Sequence, residues 1–447
     1  MKKLLLVICS SLLFLQTAHA DKIAIIGGGA SGLVSAWLLE QRHDVTIYEA
    51  NDCLGGHANT IEVKTDQDST PIAIDAGAEF FNEPHYPHFF KLLKHFNIPL
   101  KSFTLVTTLY RTDKSDVIIL PPYHDKKVEW KSLTPVNLDR SIKFKIVVDN
   151  GLALIKKHDT TTNLQTFIDS LCWLTPAFKA DIFYPLAAAA WGISPNEAPD
   201  LAAYNALRYI VDNYNIKNYT WYEVTGGLKV YIDAVANSLQ STQVKLNARV
   251  STISKNNGRY VITASDGSQA EYDQLIFATD ASVASQILGT LADTAALSQA
   301  LGKVNYYDTK IAIHGDVRFM PPNKNDWRVV NIRYNGKYSA ITFYKAWKSK
   351  APIFKSWLTY DVRSPKDAGP ALPSPLYSLL TYRHPKTDRA YFEAQKTIVE
   401  NQGKQNIWFA GMWTTDNDSH ESAISSAVSV AKQLAPGTDR LKVLEGK

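Results

Sequence analysis

The sequence predicts an α/β protein: a parallel-sheet domain built to hold a dinucleotide, with an α+β region interleaved through it. Three observations carry this. A strand, glycine turn, helix and second strand follow one another from residue 22. A second strand, glycine and helix follow one another from residue 407. Between them, stretches with helical spacing give way to stretches that alternate apolar and polar residues. The chain has 447 residues, 45% hydrophobic and 20% charged, which suits a large core and two domains.

Taken in order, residues 1–20 read "MKKLLLVICSSLLFLQTAHA". A basic start, a short apolar run and the small-x-small end Ala18-His19-Ala20 predict a secretory signal peptide. Lys2-Lys3 is not a twin-arginine signal, so export by a Sec-type route is expected, with a periplasmic or secreted product. Because that route threads unfolded chain, the cofactor is expected to load after export. No other segment holds 18 uninterrupted apolar residues, so no stable membrane insertion is expected once the leader is removed. The formal net charge is +5, two of those charges on Lys2 and Lys3, which gives no support for a nucleic-acid or membrane-surface role. Cys53 and Cys172 remain beyond the leader; their spacing matches no metal or redox motif, and two unpaired thiols are expected, Cys53 buried near the nucleotide.

Next comes "KIAIIGGGASGLVSAWLLEQRHDVTIYEA". The run 22–26 reads as a buried parallel strand, 33–41 as a helix and 44–48 as a second strand ending at Glu49. The turn Gly27-x-Gly29-x-x-Gly32 makes this a Rossmann-type unit. Gly27 permits the tight turn, Gly29 lets backbone approach a pyrophosphate, and Gly32 lets helix and strand pack closely. The helix start, with Ala30 and Ser31, offers free amides to phosphate. Glu49, 22 residues after Gly27, is placed to bond ribose hydroxyls.

The continuation "LGGHANT", with Gly55, Gly56 and His57, resembles the loop after the ribose acid in the flavin-containing amine oxidase superfamily. There the usual residues are Gly-Gly-Arg, and Gly-Gly-His resembles a bacterial subgroup of FAD/NAD(P)-binding, amine-oxidase-like proteins. "DAGAEFFNEPHYPHFFKLLKHFNIP" is similar to the family's Asp-x-Gly stretch beside the flavin ring. "YPLAAAAWG", "WYEVTGGLKVYIDAVANSL", "YDQLIFATD" and "IAIHGDVRFMPPNKNDWRVVN" resemble later family segments. "QVKLNARVSTISKNNGRYVITASDG" reads as strand, hairpin and strand about an Asn-Asn-Gly turn. "NIWFAGMWTTDNDSHESAISSAVSVAKQLA" is similar to the closing motif, with Gly411 near the pyrophosphate and the backbone at His420 or Glu421 at the flavin's pyrimidine edge.

The resemblance implies an amine-oxidase-type FAD-binding domain with non-covalent FAD. Its contacts would be Gly27, Gly29, Ala30, Ser31, Gly32, Glu49, Ala50, Gly55, Gly56, His57, Ala78, Glu79, Val250, Gly411, Met412, His420, Glu421 and Ala423. It places that domain at residues 21–100, 220–290 and 400–440. The substrate domain takes 101–219 and 291–399, strand-like at "TTLYRT" and "DVIILP", helix-rich over 163–214, and alternating at "KIAIHGDVRF", "YSAITFYKAW" and "FKSWLTYDV".

For catalysis the resemblance points to Lys310, since these oxidases carry a strand lysine that holds a water near flavin N5, and then to His420. His314 alternates with apolar residues, as a core histidine does. Trp191, Trp221, Trp327 and Trp413 are candidate pocket walls. Ser419-His420-Glu421 stands where many amine oxidases have Gly-Tyr-x-Glu, so one wall of their aromatic cage is missing. The expected function is oxidation of a small organic substrate by hydride transfer to flavin, with oxygen or another acceptor reoxidising it. A flavin-dependent lipid or polyene desaturase or isomerase, or a non-catalytic FAD-binding protein, stands as the alternative. No metal is expected.

Overall fold

The computed structural model describes residues 20–114, 116–214, 220–358, 372–415 and 419–446. Apart from Ala20, the expected leader lies outside the described residues. In chain order, β1 (Lys22–Ile26), α1 (Ala30–Leu39) and β2 (Asp44–Tyr48) open the fold, and α2 (Pro87–His95) follows. Then come β3 (Thr107–Arg111), β4 (Asp116–Leu120), α3 (Pro135–Lys156), α4 (Tyr184–Trp191), α5 (Ala203–Tyr214) and α6 (Lys229–Asn237). β5 (Gln243–Lys245), β6 (Val250–Asn256), β7 (Arg259–Ala264) and β8 (Gln274–Phe277) precede β9 (Tyr306–His314), β10 (Val330–Tyr334), β11 (Ser339–Tyr344), β12 (Phe354–Trp357) and β13 (Leu376–Pro385). β14 (Ile407–Phe409) and α7 (His420–Leu434) complete the set that positions the site.

Two sheets organise these elements. The first is parallel throughout, in the order β5-β2-β1-β8-β14. Its central strands are apolar because both faces are covered, and every residue of α1 is buried between the sheet, α6 and α7. The second runs β13-β9-β12-β11-β10-β3-β4, antiparallel except where β10 meets β3. Leu109, Ile332, Ile341 and Phe343 from this sheet pack with Val147, Leu186 and Ile210 of the helical layer α3–α5. The β6–β7 turn puts Asn257 at φ 49° and Gly258 at φ 81°, the mirror-image turn that matches strand twist. The chain crosses between the two sheets repeatedly: strands of the first come from three separated stretches, strands of the second from the two between them.

Candidate functional site

At the first glycine turn, Gly27 has φ 107°, and a Cβ on it would lie 2.6 Å from the Ala278 carbonyl oxygen. A Cβ on Gly32 would fall 1.9 Å from the Gly27 carbonyl oxygen, so α1 sits on the turn with no room for a side chain. Gly29 is different. The nearest atom to its added Cβ is Gly56 Cα, 4.0 Å away, so a methyl there would project into open cavity. Gly29 and Gly55 also form an isolated parallel bridge, which holds the second glycine pair beside the first.

Glu49 ends β2 as a buried carboxylate. Its Oε2 accepts from the Gly28 amide at 2.7 Å and its Oε1 from the Asn51 amide at 2.8 Å, which fixes the group at the cavity wall. The α1 N-cap, Gly29, makes no side-chain cap, so the first-turn amides face the cavity. On the other side Gly411, at φ 138°, donates its amide to Ser426 Oγ at 2.8 Å and so ties the turn after β14 to α7. Ser419 caps α7 through Ser422, leaving the His420 end of the helix at the cavity. Two helix starts, a buried acid and a glycine cradle are the donor set a dinucleotide requires.

Beyond this end the cavity, about 560 Å³, continues under the second sheet. Leu105, Leu186, Ile210, Val330, Ile332 and Ile341 line it with Phe80, Phe343, Trp191, Trp221 and Trp357. Where the two ends meet, a buried charge chain reaches the wall. Lys355 on β12 pairs with Glu79, donates to the Gly77 carbonyl at 3.0 Å and lies 4.9 Å from the Phe343 ring centre. Glu79 also pairs with Lys345 at 2.8 Å, Lys345 with Glu223 at 2.8 Å, and Glu223 with Lys348 at 3.4 Å. Burial pushes the Lys355 pKa down against the pull of Glu79. Burial also opposes the charge on Lys345, but Glu79 and Glu223 outweigh it and raise its pKa. Asp75, beneath them, is pushed up by burial.

Of the residues singled out from sequence, Gly27, Gly29, Ala30, Ser31, Glu49, Ala50, Gly55, Gly56, His57, Ala78, Glu79, Val250, Gly411, Met412, His420 and Ala423 line this one cavity. Gly32 lies behind the wall, as its packing role demands. Three placements differ from expectation. Lys310 is exposed on β9 and does not line the cavity, because alternation turns its neighbour Ile311 inward; the lysine at the wall is Lys355. The Glu421 carboxylate turns away, accepting from the amides of His88 and Phe89 at 3.0 Å each, and so caps α2. Cys53 is exposed, not buried.

His420 lines the cavity, but its ring packs against Phe81, Phe89 and Tyr231, with Nε2 2.8 Å from the Tyr231 hydroxyl. Burial, helped by His57, lowers its pKa to about 3, so it is neutral at ordinary pH. His314 is a core histidine bonded to Ser356 Oγ at 2.8 Å. Trp191, Trp221 and Trp413 line the cavity, whereas Trp327 packs on Tyr344 and Phe354. Sequence reasoning missed Lys355, Trp357 and His384. The signal available for Lys355 was a lysine inside a short strand, "FKSW", that begins and ends on an aromatic residue.

A family profile described as flavin containing amine oxidoreductase matches residues 30–370. No curated protein sequence matches the chain. Among solved structures it is similar to a CLA-producing fatty acid isomerase from P. acnes, with TM-score 0.69, 15% identity, and coverage of 92% of this chain and 98% of that one. It is also similar to cyclohexylamine oxidase from Brevibacterium oxydans IH-35A, with TM-score 0.65, 14% identity, and coverage of 93% and 100%. Wild-type putrescine oxidase bound to putrescine gives TM-score 0.65, 12% identity, and coverage of 93% and 99%.

Proposed function

The chain belongs to the flavin-containing amine oxidoreductase family, and from that premise we propose that it is an FAD-dependent oxidoreductase of the amine-oxidase type. It takes a hydride from a small organic substrate, and oxygen or another acceptor restores the cofactor. The observation that carries this reading is the single cavity, which runs from the α1 glycine turn past the start of α7 to an apolar chamber. When bound, FAD supplies the two-electron acceptor. The chain's residues do the rest. Glu49, fixed by the Gly28 amide, would hold ribose hydroxyls, and the amides after Gly29 would hold phosphate. Val250, Gly55, Gly56 and His57 line the same cavity and would hold the rest of the cofactor. The first turn of α7 presents partial positive charge at His420. Lys355, lodged between Glu79 and Gly77, holds or releases a proton at Nζ where nucleotide loops meet apolar chamber. The walls of Leu, Ile and Trp exclude water from the reacting bond.

One observation favours a second reading, in which the substrate is a lipid or polyene that is desaturated or isomerised. Of the lining acids, Glu49 and Asp280 belong to the nucleotide end and Glu79 is already held by two lysines. Among the described residues the chamber therefore presents no spare carboxylate to a cationic amine. The fatty acid isomerase among the similar structures is in keeping with this.

The test is anaerobic titration of the yellow holoprotein with amines, amino acids and fatty acids, followed by air. Bleaching by an amine with peroxide release on reoxidation supports the first reading. Bleaching or double-bond migration with fatty acids alone supports the second. A dithionite-reduced flavin that no acceptor reoxidises defeats both and leaves a non-catalytic binder. We also infer export to the periplasm or medium, resting on residues 1–20 alone. Amino-terminal sequencing of exported protein checks it, with Asp21 expected first.

A further inference from the structure

A row of five ionisable side chains leads away from the chamber wall. Lys355 and Glu79 line the cavity and pair with each other. From Glu79 the row continues to Lys345 at 2.8 Å, to Glu223 on the strand Trp221–Val224 at 2.8 Å, and to Lys348 at 3.4 Å. The first four are buried. Aromatic rings sheath them: the Phe80 ring centre lies 4.7 Å from Lys345, and that of Phe343 4.9 Å from Lys355. The far end reaches the surface. The Lys348 side chain is 10% exposed and is fixed by donating to the Ala73 carbonyl at 2.9 Å. Trp347, which donates to Glu223 Oε1 at 2.6 Å, is 37% exposed. Asp75 acts on the row through its charge but bonds elsewhere, to Thr60 and the Leu228 amide.

Held only as a strut, such a row offers nothing over apolar side chains of the same volume, because desolvation offsets the attraction of its charges. What it offers besides is transferable protons. The chamber has a use for them. Removing a hydride from a neutral substrate leaves a cation that sheds a proton, and forming peroxide from oxygen takes a proton back. The exposed residues of the cavity wall, Asn51, Gly56, Arg249 and Arg383, stand at the nucleotide end, Arg383 lying 3.6 Å from Asp280. Among the described residues, none that lines the apolar chamber is exposed.

We propose that the row Lys355–Glu79–Lys345–Glu223–Lys348 is a proton relay between the chamber and solvent. The proposal rests on the oxidoreductase reading, which supplies the proton. A proton arriving on Lys355 Nζ passes to Glu79. Lys345 gives its own proton to Glu223 and refills from Glu79, and Glu223 hands on to Lys348, which releases to solvent. One N–H bond breaks at Lys355 and one forms at Lys348, and each group between them ends as it began. For a proton travelling inward the order reverses. Burial pushes both end lysines down, so each takes a proton as a neutral amine, whereas Lys345, despite burial, is held charged by Glu79 and Glu223.

The test uses holoprotein reduced with dithionite, desalted without air and mixed rapidly with ferricenium in weak buffer containing phenol red. Ferricenium takes electrons only, so recolouring of the flavin obliges proton release. In wild type the dye should change as fast as the flavin recolours. Lys348→Arg keeps the charge and the pair with Glu223, but a guanidinium does not give up its proton, so the dye should change about a hundredfold more slowly. Its melting temperature should stay as in wild type, as a strut would require. Glu223→Gln, which breaks the row one step further in, should slow the dye equally. A dye change as fast as in wild type in both variants overturns the relay and leaves the row a strut. Protein that takes up no FAD overturns the oxidoreductase reading together with the relay, so colour alone tells the two failures apart.

Discussion

Gly29 and Gly32 lie three residues apart and fail for different reasons when substituted. Gly32→Ala forces a methyl onto the Gly27 carbonyl oxygen, 1.9 Å away, and is expected to cost about 3 kcal/mol of stability with or without flavin. Gly29→Ala meets nothing within the protein closer than 4.0 Å. Its apoprotein should melt as wild type does while its flavin affinity falls, because the methyl occupies the phosphate's approach. Equilibrium dialysis with FAD, beside thermal melts of the apoproteins, separates the two. Two histidines give a second residue-scale prediction. Burial lowers His420 to about 3 and His314 to about 4, from an ordinary 6.5. The unfolded chain therefore binds more protons than the folded one below about pH 6.5. Their contribution to stability is complete above that pH and is lost as pH falls towards 4 and then 3. Urea midpoints measured from pH 8 downward should fall through this window, and less steeply in His420→Gln than in wild type. Equal slopes in the two proteins refute the assignment.

At the scale of elements, the buried charge chain that starts from Lys355 of β12 and the cap on α2 set what can be tested. Lys355→Met leaves Glu79 with one cation where it had two, and a buried pair broken from one side costs about 3–5 kcal/mol. Adding Glu79→Gln should recover part of that loss, and a double-mutant cycle in urea reads the coupling. Additive losses would mean that the two groups do not act as a pair. Glu421→Ala should cost about 1 kcal/mol by uncapping α2, with flavin absorbance unchanged because its carboxylate faces away from the cavity. These two residues also mark where sequence reading stops. Strand positions were legible because alternation and turn glycines are local: β1 and β2 fall at the expected residues, and the Asn257-Gly258 turn closes β6 on β7. Which face of a strand meets the cavity is not local. On β9 the choice between Lys310 and Ile311 rests on how that strand seats between β12 and β13, and a shift of one residue exchanges every side chain between faces. Likewise an acid at a helix start reads as ligand-facing from sequence. Only the approach of α2 shows that the Glu421 carboxylate is already engaged.

Over the whole molecule, the residues lining the glycine-turn end of the cavity were legible and those of the apolar chamber were not, for one physical reason. Nucleotide recognition uses backbone amides at helix starts, and glycines announce those starts in the sequence. The chamber uses apolar side chains from β10, β11, α4 and α5, which look like core until the layers are assembled. The assembled layers make a final prediction. One core packs about the parallel sheet and another between the second sheet and the helical layer, with the cavity lined from both. A ligand spanning that cavity binds only when both cores are folded and in register. FAD at a hundredfold excess over its dissociation constant adds about 2.7 kcal/mol to that joined state. Calorimetry of the apoprotein should therefore resolve two transitions, one for each core. Added FAD should raise the lower one until a single transition remains. A single transition in the apoprotein, moved upward but unchanged in shape by FAD, would mean that the interleaved chain alone couples the two cores and that the cofactor adds stability without joining them.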